Sequence, residues 1–147
     1  MKIVVKRFND LTNIELYEIL KLRNEVFIVE QNCAYQDCDN KDFKSYHILS
    51  YDNENIVAYL RVLEKSVSYN EVSIGRVLVK KNYRGKGIAR KNMLYAMLFI
   101  EDKLKEDRIR ISAQQYLLEF YKSLGFKVVS DIYLEDNIPH VEMFFEK

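Results

Sequence analysis

The chain has 147 residues, of which 48% are hydrophobic and 31% are charged, and its formal net charge is +1. This length and balance predict one globular domain over residues 1–147 and exclude a disordered or fibrous protein. A net charge near zero excludes binding to a polyanion through overall charge, so any anion site must be local. The longest apolar run, 93–100, is too short to cross a bilayer, and the first residues lack a signal-peptide core. We therefore expect a cytoplasmic protein with no membrane partner.

The first half of the chain predicts a strand, a helix and then three strands. Residues 2–8 alternate like a strand, and Thr12 with Glu15 forms a capping-box pattern that opens a helix running to about Phe27. Residues 30–44 are polar and irregular, which indicates a binding loop, because loops of this length are uncommon without a function. Strands are predicted at 45–52, 56–64 and 71–80, and their short connections favour an antiparallel meander.

The second half of the chain predicts helices alternating with strands. A helix follows residues 82–90 and extends to about Lys105, since its apolar residues recur at intervals of three and four. The predictions that follow are a strand at 108–113, a helix at 114–124 that Gly125 ends, and strands at 126–130 and 139–145. This order predicts an α/β fold with a mixed, mostly antiparallel sheet covered by helices. The last strand is interpreted as an exposed sheet edge that could serve a homodimer.

Two cysteines, Cys33 and Cys38, lie in the irregular segment. The two histidines are far from them in sequence, so a metal site is not expected, and two free thiols fit a reducing compartment. Asp37, Asp39 and Asp42 in the same segment resemble a calcium loop only in part, because Asp42 stands where the sharp turn needs a glycine. We predict no metal in this segment.

The segment NYRGKGIAR at 82–90 combines backbone freedom with positive charge. It holds two of the four glycines of the chain, and residues 80–91 carry six Lys or Arg and no Asp or Glu. A helix that begins here presents unpaired N–H groups and the positive end of its dipole, and glycines let an anion approach closely. The P-loop string is absent, and Arg90 takes the place of the third glycine of a dinucleotide fingerprint. The segment does match R-x-x-G-x-A through Arg84, Gly87 and Ala89.

Placed after the fourth strand and opening a long helix, R-x-x-G-x-A resembles the pyrophosphate-binding motif of the GNAT superfamily of N-acetyltransferases. The stretch AQQYLLEFYKSLGF at 113–126 is similar to the fourth helix of that family, with Tyr121 at its tyrosine position. The stretches VFIVEQNCAYQDCD, IGRVLV, ISAQ and EDNIPHVEM resemble the ElaA-like subgroup. The resemblance covers nearly the whole chain from about residue 10. It implies the GNAT fold, in which the sheet splays at the cofactor site and helices cover both faces.

The resemblance implies that acetyl-CoA is the co-substrate and that a primary amine attacks it directly, through a tetrahedral intermediate. The backbone at the start of the long helix would hold the pyrophosphate, and the preceding strand would pair with the pantetheine arm. One N–H of that strand, at Val77 or Leu78, would stabilise the oxyanion. The implied cofactor-binding residues are Val77, Leu78, Val79, Arg84, Gly85, Lys86, Gly87, Ile88, Ala89 and Gln114.

The same resemblance implies catalytic roles. Tyr121 is the implied proton donor to the departing thiolate. Some family members carry a glutamate base on the fourth strand, where this chain has Ser73, and Glu71 lies two residues earlier on the same strand face. Glu30 and His140 are alternatives to Glu71, as is proton loss through ordered water.

The acceptor is expected to be a small-molecule or peptide amine. Its candidate contacts are Arg23, Glu30, Gln31, Tyr35, Arg61, Arg76 and His140. An arginine-lined pocket would suit a carboxylate or phosphate on that acceptor.

Two other interpretations stay open at this point. One is a non-catalytic acetyl-CoA-binding or regulatory protein, which shares the cofactor residues but lacks a working base. The other is a nucleic-acid-binding protein that uses the basic segment and stacks bases on its tyrosines. The confinement of positive charge to one helix start disfavours the second, so no nucleic-acid partner is expected.

Overall fold

Eight strands and three α-helices follow one another along the chain, and the computed structural model describes all 147 residues. The strands are β1 Lys2–Arg7, β2 Ser45–Asp52, β3 Asn55–Leu63, β4 Ser73–Val79, β5 Arg108–Gln114, β6 Lys127–Val128, β7 Tyr133–Glu135 and β8 Ile138–Glu146. The helices are α1 Asn13–Arg23, α2 Ile88–Phe99 and α3 Leu118–Ser123. The mixed α/β class predicted from the sequence is confirmed. No helix is long and apolar enough to span a membrane.

The strands form two antiparallel sheets that meet at one point. One sheet has the order β1-β2-β3-β4, and the other has β5-β8-β6 with β7 also paired to β8. Val72 forms an isolated parallel bridge to Ile109, and the Arg110 N–H donates to the Val72 carbonyl at 2.9 Å. Beyond that bridge β4 and β5 have no ladder between them. The predicted splay of the sheet is therefore confirmed, and it leaves one side of β4 unpaired.

Helix α1 covers one face of the first sheet. Its start is the predicted capping box, because the Thr12 side chain accepts from the Glu15 N–H and the Glu15 carboxylate accepts from the Thr12 N–H. The helix continues as π-helical turns over Asn24–Glu30, three residues beyond the predicted end. Its apolar side packs on the strands through a buried cluster of Ile19, Leu22, Val26, Phe27, Leu49, Ile56, Tyr59 and Leu78.

Helices α2 and α3 cover the opposite face and seal both sheets. Met93, Ala96 and Ile100 come from α2 and the turn after it, and Tyr121 comes from α3. They pack in a cluster of 16 buried residues, which takes members from the first sheet and from the second. Burying these side chains is the main favourable term that holds the two sheets side by side, since they share only the bridge at Val72.

Two sequence-based boundaries need correction after the end of β5. The helix predicted at 114–124 begins later, because Gln114 still pairs in β5 and a 3₁₀ turn over Gln115–Leu117 precedes α3. Gly125 does end the helix as predicted, with φ +100°, and a Cβ there would lie 3.1 Å from the Phe145 ring. The strand predicted at 126–130 is only two residues long, Lys127–Val128.

The interpretation of residues 139–145 as a sheet edge is wrong. Strand β8 pairs with β5 on one side and with β6 and β7 on the other, so its backbone is used on both sides. Strand β7 was not predicted. It forms a hairpin with β8 through Asp136 and Asn137, which have φ 51° and 63°, a pair of left-handed conformations that Asp and Asn tolerate. The basis for a homodimer through this edge is thereby removed.

Candidate active site

A bulge in β4 shapes the open side of the sheet. Arg61 pairs with Gly75 and Tyr59 with Leu78, so two residues of β4 oppose the single residue Leu60 of β3. Arg76 takes φ 53°, a left-handed conformation inside a strand. The strain of such a residue is of the order of 1–3 kcal/mol and must be offset by its contacts. The bulge turns Arg76 toward the loop that follows α1 and leaves Val77 packed against the larger core cluster.

A cavity of about 920 Å³ lies where β4 and β5 separate. Its volume is typical of a site for a small molecule or cofactor. The lining includes most of the sequence-predicted site residues, namely Glu30, Gln31, Tyr35, Arg61, Ser73, Arg76, Val77, Leu78, Val79, Arg84, Ala89, Gln114, Tyr121 and His140. The structure thus brings together residues that lie more than 100 positions apart in the chain.

The start of α2 presents backbone donors without partners. Gly85 and Gly87 both have φ +77°, and Gly87 is the N-cap residue without a side-chain cap. The N–H groups of residues 85–90 make no backbone hydrogen bond, although the Gly87 carbonyl accepts from Lys91 at 3.1 Å. An added Cβ at either glycine would meet no atom within 4 Å, so internal packing does not require glycine at these positions. A row of unpaired backbone N–H groups at the positive end of a helix dipole can bind an anion.

Arg84 connects this helix start to β4. Its Nε donates to the Val79 carbonyl at 2.8 Å, and its guanidinium pairs with the Glu30 carboxylate at 2.9 Å. Glu30, an acceptor-site candidate, therefore lies beside a cofactor-site candidate. Lys86, Gly87 and Ile88 line a separate shallow hollow of about 290 Å³, and the Ile88 side chain belongs to the core, so only its backbone faces outward.

Gln31 and Gln114 bridge the mouth of the cavity. Each side-chain amide donates to the other, at 3.3 and 3.4 Å, which links the end of the α1 segment to the end of β5. Both amides are adaptable donors and acceptors, so they can exchange this bond for one to a bound amide. Gln114 was predicted to lie near a cofactor and Gln31 near an acceptor, and in the structure the two side chains are in contact.

Tyr121, from α3, also lines the cavity. The residue is 7% exposed, its ring packs against Phe120 and Phe126, and its hydroxyl has no hydrogen-bond partner in the protein. Burial raises the pKa of Tyr121 above that of free tyrosine, with a smaller contribution from Tyr116. Tyr121 is therefore a neutral hydrogen-bond donor at physiological pH.

We call the part of the cavity lined by Tyr35, Arg61, Arg76 and His140, all predicted acceptor contacts, the acceptor end. Three arginines and three aspartates form one network beside it. Arg23 contacts Asp37 at 2.9 Å and Asp42 at 2.7 Å, and it is completely buried. Because it does not line the cavity, the prediction that Arg23 contacts the acceptor is not supported by its position. Its charge instead compensates the buried carboxylate of Asp42 and the partly buried carboxylate of Asp37.

The other two arginines of the network do line the cavity. Arg61 bonds Asp39 at 2.6 Å and Asp42 at 2.9 Å, and Arg76 bonds Asp37 at 2.8 Å. The charges of the network cancel, so these arginines offer little to an acidic group on an acceptor, contrary to the interpretation of an arginine-lined acid pocket. The Tyr35 hydroxyl lies 3.2 Å from Asp37 and joins the same network.

Glu71 lies outside the cavity. It pairs with Arg110 at 3.0 Å, and Arg110 also pairs with Glu142. The hydrogen bond from Arg110 lowers the pKa of Glu71, which makes this carboxylate a weaker base. Ser73 lines the cavity in its place and is buried.

His140 lines the acceptor end from β8. It is 6% exposed, its Nδ1 is 2.7 Å from the Ile138 carbonyl, and its ring stacks on Tyr133 at 6.1 Å. Its Nε2 is 3.4 Å from the Glu135 carboxylate, which also lines the cavity. His140 was predicted from the sequence, whereas Glu135 was not, since β7 itself was not predicted.

The role of the aspartates at 37, 39 and 42 was not predicted from the sequence either. Their spacing suggested a partial calcium loop, whereas all three carboxylates are taken by arginines from α1, β3 and β4. No group of three or more His, Cys, Asp or Glu side chains is arranged to hold a metal ion. Cys33 and Cys38 are both free, and the Cys33 Sγ lies 3.2 Å from the Asp136 carbonyl.

Comparison with known protein families identifies this architecture. Residues 15–147 match the model of the acetyltransferase (GNAT) domain. The chain belongs to the GNAT acetyltransferase family. This GNAT domain is 42% identical over 148 residues to a UPF0039 protein of Schizosaccharomyces pombe, covering 99% of this chain and 97% of that protein. It is 38% identical to protein ElaA of Escherichia coli, covering 92% of this chain and 90% of that protein.

Solved structures agree with the family assignment. The crystal structure of E. coli ElaA superposes with a TM-score of 0.92 at 37% identity, covering 99% of this chain and 100% of that one. An acyl-CoA N-acyltransferase from Pseudomonas aeruginosa gives 0.91 at 36% identity, with 99% of each chain covered. An aminoglycoside 6′-N-acetyltransferase complexed with coenzyme A shares the fold, with a TM-score of 0.74 at 12% identity over 97% and 96% of the chains. The resemblance to GNAT enzymes and to ElaA is confirmed.

Proposed function

We propose that this GNAT domain transfers the acetyl group of acetyl-CoA to a primary amine. The observation that carries the proposal is the start of α2, where the N–H groups of residues 85–90 lack backbone partners and two glycines hold left-handed conformations. These donors lie next to the unpaired side of β4 and the 920 Å³ cavity. A pyrophosphate fits such a helix start, and the acyl-CoA N-acyltransferase similar to this chain supports a CoA thioester as donor.

Strand β4 is the proposed partner of the pantetheine arm. No strand pairs with the cavity side of its Val77–Val79 segment, because β5 diverges after the bridge at Val72, although the Val79 carbonyl accepts from Arg84 Nε. An amide-containing arm can pair with such an edge as an added strand would. The bulge at Arg76 brings neighbouring N–H groups out of the regular ladder, and one of them is the proposed oxyanion donor. Removal of one such donor typically costs about 3–4 kcal/mol of transition-state stabilisation.

The amine attacks the thioester carbonyl, and the C–S bond of the resulting tetrahedral intermediate then breaks. The Tyr121 hydroxyl is the proposed hydrogen-bond donor to the departing sulfur, since it lines the cavity without a protein partner. Full proton transfer from tyrosine to a thiolate is uphill, because a thiol has a pKa of about 8.5 and free tyrosine about 10. Burial of Tyr121 widens that difference. Tyr121 therefore stabilises the leaving thiolate by a hydrogen bond and does not deliver a complete proton to it.

Replacing Tyr121 by phenylalanine tests that role. We expect kcat to fall about tenfold to a hundredfold, at or below the lower end of general-acid contributions because no complete proton is delivered, while the KM for acetyl-CoA changes less. The ring contacts with Phe120 and Phe126 remain, so the unfolding temperature should stay near that of the wild type. An unchanged kcat would assign Tyr121 to packing only.

Thermal unfolding with acetyl-CoA tests the donor itself. Ligand at about a hundred times its Kd stabilises the folded protein by about 2.7 kcal/mol, which shifts the midpoint by roughly 5–10 °C for a domain of this size. ATP and NAD serve as controls, and neither should give a comparable shift. A protein that binds none of the three would have a degenerate CoA site, and the proposed activity would be wrong.

The second candidate, a non-catalytic acetyl-CoA sensor, shares this binding site. It is favoured by the absence of a carboxylate at Ser73 and by the engagement of Glu71 with Arg110. A panel of primary amines separates the two candidates. Turnover of any amine by the wild-type protein excludes the sensor, whereas a thermal shift without turnover supports it.

A further inference from the structure

The acceptor end of the cavity contains few groups that are free to accept a proton. Four carboxylates line the cavity, at Glu30, Asp39, Glu135 and Asp136. Glu30 is held by Arg84, and Asp39 is held by Arg61. The carboxylates without an arginine or lysine partner are therefore Glu135 and Asp136, which both belong to the β7–β8 hairpin.

The remaining titratable groups near this end are unsuited to act as a base. Burial raises the pKa of Tyr69 to about 12, and burial raises the pKa of Tyr133 as well, so both phenols stay neutral. His47, the other histidine of the chain, is buried away from the cavity and uses both ring nitrogens, toward Tyr59 and the Asp42 carbonyl. His140 is the histidine that lines the cavity.

The hydrogen bonds of His140 fix its tautomer. A carbonyl oxygen can only accept, so the 2.7 Å contact between Nδ1 and the Ile138 carbonyl requires a proton on Nδ1. In the neutral ring the lone pair is then on Nε2, the nitrogen 3.4 Å from Glu135. Stacking on Tyr133 and burial to 6% hold the ring in this orientation.

Glu135 is positioned independently of His140. Its Oε1 accepts from the Ser112 hydroxyl at 3.4 Å, while its Oε2 faces His140. The tight turn at Asp136 and Asn137 fixes the hairpin that carries Glu135. About half of the Glu135 side chain is exposed, so a ligand can reach it. The pair thus combines a carboxylate open to a cation with an imidazole lone pair beside it.

Resting on the proposed acetyl transfer, we infer that Glu135 and His140 form the site that binds the acceptor as an ammonium ion and removes its first proton. The ammonium contacts the Glu135 carboxylate and gives one proton to Nε2 of His140, which leaves a neutral amine and an imidazolium. The amine nitrogen attacks the thioester carbonyl, and the C–S bond then breaks. The second amine proton goes to the departing thiolate, and the imidazolium releases its proton to water.

This assignment also defines the class of acceptor. The arginine–aspartate network is neutral, and the carboxylates of the hairpin form no pair with arginine or lysine. Lys41 also lines the cavity, and its Nζ donates to the Ser68 hydroxyl at 2.9 Å. An acceptor with a primary ammonium and no carboxylate beside it fits this end, because a carboxylate next to the amine would face Glu135 and Asp136. Acidic acceptors should accordingly be the poorest substrates.

The test compares His140→Asn, Glu135→Gln and the control Glu119→Gln with the wild-type protein. Asparagine can keep the bond to the Ile138 carbonyl while it removes Nε2, and Glu119 is an exposed residue of α3 far in sequence from the hairpin. Each protein is assayed from pH 6 to pH 9 with a monoamine, a diamine and an amino acid. Thermal shift with acetyl-CoA confirms in each case that the protein is folded and binds the donor.

We expect His140→Asn to lower kcat/KM for the amine at least a hundredfold at pH 7, in the range of general-base contributions. Its rate should rise about tenfold for each pH unit, since only the free amine with a pKa of about 10.4 then reacts. Glu135→Gln should raise the KM for the amine with a smaller effect on kcat, because the bound ammonium loses its contact with the carboxylate. Glu119→Gln should match the wild type.

Two outcomes overturn the inference, and they are distinguishable. If the wild type acetylates amines and His140→Asn keeps its kcat/KM within threefold and its pH profile, the inference is wrong while the proposed function stands. If the wild type binds no acetyl-CoA and acetylates no amine, the proposed function fails and the inference falls with it.

Discussion

Replacing Gly87 by aspartate should abolish the stabilisation by acetyl-CoA without unfolding the protein. Gly87 is the N-cap of α2 with φ +77°, a conformation that aspartate adopts more readily than most residues, and an added Cβ meets no atom within 4 Å. The new carboxylate lies where the unpaired N–H groups of α2 are expected to hold a pyrophosphate. Its negative charge offsets the positive potential of those N–H groups. We expect the affinity for acetyl-CoA to fall at least thirtyfold, about 2 kcal/mol, measured by thermal shift and calorimetry.

Gly87→Asn is the matched control for this experiment. Asparagine has the same shape and the same tolerance of the left-handed region but carries no charge. It should bind acetyl-CoA more weakly than the wild type, because its side chain hinders close approach of the anion, yet clearly better than Gly87→Asp. Equal affinities for the two variants would mean that charge at the start of α2 is irrelevant. A Gly87→Asp protein with wild-type affinity would place the pyrophosphate elsewhere.

Replacing Arg23 by leucine should destabilise the fold by about 3 kcal/mol. Arg23 is completely buried and bonds two aspartates, and removing one partner of a buried ion pair typically costs about 3–5 kcal/mol. The lower end applies because Asp42 keeps Arg61 and Asp37 keeps Arg76. Urea unfolding at pH 7 measures the difference. The control Arg7→Met removes an exposed pair with Glu64 and should cost less than about 1 kcal/mol.

A second readout is the pH dependence of the difference in unfolding free energy between the wild type and Arg23→Leu. Burial alone would raise the pKa of Asp42, but the hydrogen bond and charge of Arg23, together with Arg61, lower it overall. A carboxylate with a lowered folded pKa contributes stability that is fully present above its unfolded pKa of about 3.9 and is lost as the pH falls toward the folded value. The gap between the wild type and Arg23→Leu should therefore narrow below pH 4. A gap that stays constant until both proteins unfold in acid would show that Arg23 contributes through packing only.

The features that the sequence predicted correctly are those confined to a few consecutive residues. Thr12 and Glu15 cap α1 reciprocally, Gly125 ends α3 in a left-handed conformation, and Gly85 and Gly87 open α2 with free amides. Each depends on backbone sterics and on hydrogen bonds within one turn, so the local residues suffice. The alternating strands and helices α1 and α2 were predicted for the same reason. In each of them the buried residues recur along the chain with a short period.

The features that only the tertiary structure decided join residues far apart in the chain. The bulge at Arg76 shifts the register of β4 by one residue, which turns its guanidinium toward Asp37, 39 positions earlier. Strand β7 pairs only because β8 offers a free side, and that pairing brings Glu135 to His140. Arg23 and Glu71 were assigned to the site on the basis of the family resemblance, but each pairs with an opposite charge outside the cavity instead. Which charges meet depends on strand register and on the splay of the two sheets, and no short stretch of sequence encodes either.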